Sequence, residues 1–548
     1  IINNHQMKRV FLGIFAALLL TSCQMKETVD LILYNGNIYK VDSAFTVCSA
    51  VAVKDGLIVS TGSDNEILNT YRSEKMVDLE GKPVYPGFND AHCHITGLGQ
   101  GLLRVDLRGS ASFDEIISRL EKRQKESPSD FLLGDGWDQN LWPEKSFPDN
   151  SRLNELFPDT PVILSRIDFH AVIANNAAIE RLGIKPGDPS ILPGEAILKN
   201  GKFTGVFLEN TADRFKSIVP EPDAAETREM LLAAEKECFR YGLTSISSAG
   251  AELNQVQILD SMQSEGNLKL RIDLWLTPGR EMFEKISKPY TKGRLRVGTV
   301  KMYADGALGS RGALMIAPYS DDASVSGIQA TPSEVLDSTA KWAFDHGFQV
   351  ATHCIGDAAN RLALKLYSKY LPEGNDLRWR IEHAQIIHPD DMNTFGKYGI
   401  VPSVQPTHAT SDMLWADERV GERIKGAYAY KQLLEQNGWL PSGTDFPIEQ
   451  VNPILTYFAA VHRVNSEFIP EKGFQMENAL TPEQALRSMT IWAARASFEE
   501  GVKGSIERGK YADFTVLDKD IITATREEVT SAKVFKTFVA GEEVYSLL

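Results

Sequence analysis

Residues 84–94 read Val84-Tyr85-Pro86-Gly87-Phe88-Asn89-Asp90-Ala91-His92-Cys93-His94. A short apolar, aromatic run of this kind reads as a buried strand, and it ends in a His-x-His pair. Side chains two apart share one face of a strand, so His92 and His94 point together while Cys93 points the other way, into packing. Imidazole is the commonest protein metal ligand, and two on one face make half a site. An isolated His-x-His is a weak motif. Its reading depends on what recurs downstream.

Outward from this stretch, the middle of the chain alternates strand-like runs with amphipathic helices, the βα pattern of a parallel sheet. Strands are expected at 84–94, 243–249, 270–276, 298–306, 348–353, 378–383, 400–405 and 440–445. Eight strands with helical crossovers predict an α/β fold, a (β/α)8 TIM barrel, over residues 85–499. Helix starts are legible at Thr331-Pro332 and at Thr481-Pro482-Glu483-Gln484, a capping box with proline at the first helical position. The gap between the first two strands is too long for one helix, so an inserted subdomain is expected at about residues 100–235. A capped helix at Ser112-x-x-Glu115 and an apolar strand at 161–165 lie inside it. Short strands between Asn-Gly, Asp-Gly and Glu-Gly turns occur at 29–39, 50–59 and 75–79, and again at 512–517 and 534–545. These two β-rich ends predict one small β-sandwich built from residues 28–84 and 500–548.

Barrel enzymes carry their functional groups at the C-terminal ends of strands. Thr352-His353, Glu382-His383 and Gly443-Thr444-Asp445 close three of the later strands. Any one reads as a satisfied polar residue; joined to His92 and His94, they point to a metal site. Lys301 interrupts the apolar run Val300-Lys301-Met302-Tyr303. A lone buried ammonium is costly, so Lys301 either snorkels or pairs with Asp305, or is N-carboxylated into an anionic carbamate that bridges two metals. Trp415, Arg419 and Arg423 follow the seventh strand, as a lid or a helix face.

The N-terminus carries a basic start, Met7-Lys8-Arg9, an apolar run over 10–20, and Leu20-Thr21-Ser22-Cys23. The run is too short to span a bilayer as a stable helix. It reads as a secretory signal over residues 1–23 and resembles a bacterial lipoprotein signal in which Cys23 is lipidated, with residues 1–6 upstream of the leader. The alternative is a signal cleaved nearby with Cys23 incidental. The expected location is the bacterial cell envelope, with membrane contact only through the lipid anchor. The 548 residues carry 58 Lys+Arg against 73 Asp+Glu, a net charge of −15. That balance, without a basic arm, disfavours nucleic-acid binding. Cys48, Cys93, Cys238 and Cys354 are too scattered for a disulfide framework.

The stretch from Pro86 to His94 resembles the opening motif of the amidohydrolase superfamily, and Gly504-Ser505-Ile506-Glu507-Arg508-Gly509-Lys510-Tyr511-Ala512-Asp513 resembles its return to the β-domain. Residues 301–311 (KMYADGALGSR), 134–139 (GDGWDQ) and 408–413 (HATSDM) are similar to the amidohydrolase-3 subgroup, which includes N-substituted formamide deformylase-like enzymes. The resemblance spans about residues 31–544. It implies a binuclear site with His92 and His94 on one divalent metal and His353 and His383 on the other. Carboxylated Lys301 would bridge them, with Asp445 beside the bridging water as proton shuttle and zinc as the expected metal. The implied activity is hydrolysis of a non-peptide amide, formamide or cyclic amide C–N bond in a small molecule by metal-activated hydroxide. Trp137, His170, Glu209, Arg311 and His408 lie in motif-like stretches outside the metal set and are candidate substrate contacts. A one-metal deaminase or lactam hydrolase, and a non-catalytic small-molecule-binding lipoprotein, are the alternatives; a homodimer is compatible with either.

Overall fold

In the computed structural model, which describes residues 26–166 and 171–547, seven parallel strands follow one another around a single sheet. They are β1 (Phe88–Cys93), β2 (Leu243–Ala251), β3 (Arg271–Leu276), β4 (Leu295–Tyr303), β5 (Gln349–Cys354), β6 (Arg380–His383) and β7 (Val401–Ser403). The leader with Cys23, and His170, lie outside the described residues. Between β7 and β1 runs the eighth expected strand, residues 440–445. It lacks regular strand geometry, yet it bonds to both neighbours. Val404 N–H donates to Pro441 O and Gly443 N–H to Val404 O on one side; Ala91 N–H donates to Ser442 O and Asp445 N–H to His92 O on the other. The ring is therefore nearly closed, with helices such as Ser333–His346 and Asp357–Tyr367 as crossovers.

The irregularity has a local cause. A Cβ at Gly443 would stand 2.4 Å from His92 N, so only glycine lets the closing segment approach β1 this closely. The buried Asp90 carboxylate then draws the segment in, accepting from His92 N–H (3.0 Å), Thr444 N–H (3.1 Å) and Thr444 Oγ1 (2.6 Å). Pairing goes to this carboxylate rather than to a regular ladder.

The expected strand at 84–94 is two strands. Pro83–Pro86 belongs to a different sheet, and the chain enters the barrel only at Phe88. The switch falls at Gly87, whose N–H donates to Asp513 O and where a Cβ would stand 2.2 Å from Thr244 Oγ1. Pro83–Pro86 lies in a six-stranded sheet between Phe514–Leu517 and Asn37–Tyr39. A four-stranded sheet, in the order Leu57–Gly62, Ala50–Lys54, Leu31–Tyr34, Met76–Asp78, packs on it. Leu33, Val51 and Val53 from one sheet and Val84, Phe514 and Phe538 from the other share a core. Burial of these alternate side chains holds the sandwich together at roughly 25 cal/mol per Å² of apolar surface. The buried Arg271–Asp513 pair (2.7 and 3.1 Å) joins the start of β3 to the C-terminal strands.

Residues Ile95–Ala234 form a separate compact unit that leaves the chain directly after His94. Its six-stranded sheet runs Val105–Asp106, Leu132–Trp137, Val162–Arg166, Ala171–Ala174, Lys202–Leu208, Ala196–Lys199. One core gathers Leu107, Ile116, Leu120 and Leu164; a second gathers Ile163, Val172, Phe207 and Phe215. Helix Phe113–Glu126 starts at Ser112, whose Oγ accepts from Glu115 N–H at 3.2 Å. Cys48, Cys93, Cys238 and Cys354 are all free thiols.

Candidate metal centre

The strand ends converge. His92 is the penultimate residue of β1 and His94 follows its end, Lys301 sits two residues before the end of β4, His353 is the penultimate residue of β5 and His383 ends β6. Asp445 comes from the closing segment. All six, with His408, line one cavity of about 440 Å³. Parallel register fixes the neighbours: Lys301 lies opposite Ala351, His353 opposite Glu382, and Cys354 opposite His383.

The histidines are oriented from behind. His92 is fully buried, and its Nδ1–H donates to Glu382 Oε2 at 2.5 Å. Glu382 is held in turn by Arg380 Nε at 2.7 Å, and Arg380 Nη2 also donates to Ala91 O and Ser403 Oγ at 2.7 Å each. Trp275 forms the floor, 5.4 Å edge-on to the His92 ring and 4.4 Å beneath the Arg380 guanidinium. The Ala249 carbonyl accepts from His94 Nδ1 at 3.2 Å. Each of these bonds takes the Nδ1 proton, so Nε2 of both rings presents a lone pair to the cavity.

Those lone pairs face other acceptors. His94 Nε2 is 3.2 Å and His92 Nε2 3.5 Å from Asp445 Oδ1, and His408 Nε2 is 3.5 Å from Asp445 Oδ2. The donor atoms of His92, His94 and Asp445 lie within 4.8 Å of one another, as do those of His383, His408 and Asp445. The His353 and His383 rings are 4.5 Å apart. His353 Nε2, His383 Nδ1 and His408 Nε2 are buried without a hydrogen-bond partner among the described residues. Buried acceptors aimed at one another are unfavourable unless a cation lies between them. The residues therefore fit a metal site on the chemistry of their own donor atoms.

Charge supports the same fit. Burial opposes ionisation of Asp445, and only positive charge on the facing rings, or a cation held among them, keeps its carboxyl below the usual carboxylate range. Burial, with the Lys301 charge, pushes His353 down to about 3. His92 and His383 are likewise pushed well below the ordinary histidine value, first by burial. Neutral histidines around an ionised carboxylate leave the site short of positive charge. Lys301, wholly enclosed, is pushed down to about 8 by burial, against the opposing pull of Glu382 and Asp445. Its Nζ donates to His92 Nε2 at 3.3 Å. The Asp305 pairing is not made: that carboxylate accepts instead from Leu314, Ile355 and Gly356 N–H, 2.8 to 3.0 Å away.

His383 (φ 70°) and Asp445 (φ 63°) both adopt the left-handed backbone region. Non-glycine residues held there cost about 1–3 kcal/mol each and cluster at functional sites. Here the conformation turns both side chains across the barrel mouth.

Of the candidate substrate contacts, His408 joins the cavity. Arg311 is engaged by Asp321 (3.1 and 2.9 Å). Trp137, in the separate unit, is fully buried, stacks on Trp142 and donates its indole N–H to Leu164 O at 2.8 Å. Glu209 begins helix Glu209–Lys216 of that unit. Sequence reasoning missed Arg380 and Glu382 as supports; the signal was two opposite charges two apart on one face of a buried strand. It also missed Asp412 and Glu449 as lining groups.

Comparison with known proteins agrees with this geometry. A family model described as "Amidohydrolase family" matches residues 75–545. One for the prokaryotic membrane lipoprotein lipid attachment site matches residues 7–24. YtcJ of Bacillus subtilis (strain 168) is 32% identical over 534 residues, covering 94% of this chain and 99% of that protein. N-substituted formamide deformylase of Arthrobacter pascens is 26% identical over 544 residues, 94% and 98% of the two chains. The crystal structure of an uncharacterized metal-dependent hydrolase from Pyrococcus horikoshii OT3 superposes with a TM-score of 0.74 at 30% identity, over 91% of this chain and 99% of that one.

Proposed function

The chain belongs to the amidohydrolase family, and on that footing we propose that it hydrolyses the carbon–nitrogen bond of a small non-peptide amide, formamide or cyclic amide. The observation that carries this reading is the Asp445 carboxylate ringed by His92, His94 and His408 nitrogens at 3.2 to 3.5 Å. His92, His94 and Asp445 would hold one divalent cation and His353 and His383 the other, with carboxylated Lys301 shared between them. Zinc suits so imidazole-rich a set. Such cations supply a water acidified to near neutrality and polarise a carbonyl oxygen.

The chain's own residues do the rest. Asp445 takes the proton lost by the attacking water and delivers it to the departing nitrogen, since an amine leaves far more readily once protonated. Its backbone is fixed by the Asp445 N–H bond to His92 O at 2.8 Å, so the carboxylate has little freedom to swing away. Glu382 and Arg380 keep the His92 ring turned with Nε2 inward. His408 faces the same space and is assigned to the substrate side. The leader match at residues 7–24 supports export and anchoring through Cys23 at the bacterial cell envelope.

The test is Asp445→Asn assayed against a panel of amides. The variant is expected to keep its circular dichroism spectrum and lose about 10²–10⁴-fold in kcat, the usual worth of a positioned acid–base group. Near-wild-type turnover would remove Asp445 from the proton path. Release of ammonia in place of an amine and a carboxylate would replace amide hydrolysis with deamination.

A further inference from the structure

Beyond the metal donors, the cavity carries a second set of groups that the hydrolytic step does not use. We infer, resting on that hydrolytic reading, that the substrate is an amide bearing a positive charge on an apolar arm, the charge being received by Asp412 and Glu449.

Helix Pro406–Asp412 follows β7 and carries His408 and Asp412 four residues apart, so both project from one face. His408 faces Asp445, which sets Asp412 one helical turn, about 5.4 Å, further along the same wall. Its Oδ2 accepts from Tyr428 Oη (2.8 Å) and Gln385 Nε2 (3.2 Å), two neutral donors that orient the carboxylate without cancelling its charge. Glu449 stands four residues beyond Asp445, and its Oε1 accepts from Ser411 Oγ at 2.6 Å. Ser411 adjoins Asp412, and both acids line the same cavity from different segments.

The same cavity also has apolar and aromatic walls. Leu308, Ile355, Trp415 and Ile448 line it, and Ile448 is 72% exposed. Trp415 lies so close over Gly309 that a Cβ there would be 3.3 Å from the indole, which gives the wall its flat aromatic face. Arg311 and Arg419 share the Asp321 carboxylate outside the cavity lining, Arg419 lying 5.8 Å from the centre of the Trp415 ring. Among the described residues lining the cavity, Lys301 is the sole lysine or arginine, and it lies at the floor within the donor set. Asp412 and Glu449 repel an anionic arm. An ammonium gains their attraction and, beside Trp415, that of an aromatic face.

Three amides with one acyl group test this: an N-acyl phenethylamine, its para-aminomethyl derivative (cation) and its para-carboxylate derivative (anion). The zinc-loaded protein is assayed for kcat/KM on each. Calorimetry on the matching secondary amines with CH₂ in place of the amide carbonyl reads binding without turnover; every such ligand gains one further ammonium, so only the ranking is compared. Both measurements are expected to rank cation over neutral over anion, with about tenfold or more between the ends. The Asp412→Asn/Glu449→Gln double variant is expected to compress that ratio, chiefly through KM. Tightest binding or fastest turnover of the anion, or an unchanged ratio in a folded double variant, would overturn the inference. If the binding order holds while no amide is cleaved, the charge selection stands and the hydrolytic reading falls.

Discussion

Replacing Glu382 by glutamine probes the support behind the metal centre. The carboxylate accepts from His92 Nδ1 at 2.5 Å, Arg380 Nε at 2.7 Å and Arg380 Nη2 at 3.3 Å, and all three residues are fully buried. Breaking a buried ion pair from one side costs about 3–5 kcal/mol, because the surviving charge is left unpaired. Glutamine keeps one carbonyl oxygen and recovers about 1 kcal/mol of this through a bond from Arg380. Its NH₂ then faces either the guanidinium or His92 Nδ1–H, donor against donor. The metal-free variant should therefore lose about 2–4 kcal/mol in urea unfolding. Its zinc affinity, read by chelator competition, should fall about 10–100-fold because His92 is no longer aimed. Glu382→Asp restores the charge without the reach, so it should regain much of the stability and little of the affinity. A loss below about 1 kcal/mol with unchanged zinc binding would refute the reasoning.

Two further outcomes follow from the buried bases. A lysine at about 8 in place of 10.5 has a neutral amine available near physiological pH; at fixed dissolved CO₂, the initial rate of carbamate formation with ¹³C-labelled bicarbonate and zinc should rise with pH to about 8 and level off, following the neutral-amine fraction. A ¹³C signal absent from the wild type, or retained in Lys301→Met, would contradict this. For His353, His92 and His383 the folded-state values lie below the unfolded 6.5. Between pH 6.5 and about 3 the unfolded chain then binds more protons than the folded one, so this contribution to stability is full above 6.5 and is lost as pH falls through the window. Urea midpoints of the chelated protein should drop steeply from pH 7 towards 5, and a flat profile would argue that these rings are charged in the fold.

The barrel and the convergence of its strand-end side chains were legible because strand-end chemistry is local: His92, His94, His353, His383 and Asp445 each close an apolar run that the eye can segment. What stayed hidden depends on partners distant in sequence. The run 84–94 reads as one strand in sequence, and the break at Gly87 is set by Thr244, some 150 residues away. Residues 440–445 are placed by Asp90 rather than by a strand ladder of their own. Trp137 sits in a motif-like stretch, and a conspicuous tryptophan reads the same in sequence whether it lines a pocket or fills a core. Arg311 stands in a motif-like stretch as a candidate substrate contact, and its engagement by Asp321, ten residues on, is not marked in the sequence. The support from Arg380 and Glu382 was visible in principle. Two charges on one face of a buried strand must be paired with something, and here that pairing aims a ligand.

The account stands on cations being held at the barrel mouth. An anomalous difference map at the zinc edge, from crystals grown with zinc and bicarbonate, tests this most directly. The expected result is two peaks about 3.5–4 Å apart, one against His92, His94 and Asp445 and one against His353 and His383, with density extending from Lys301 Nζ between them. A map with no peak among these side chains, with zinc bound only elsewhere on the protein, would contradict it.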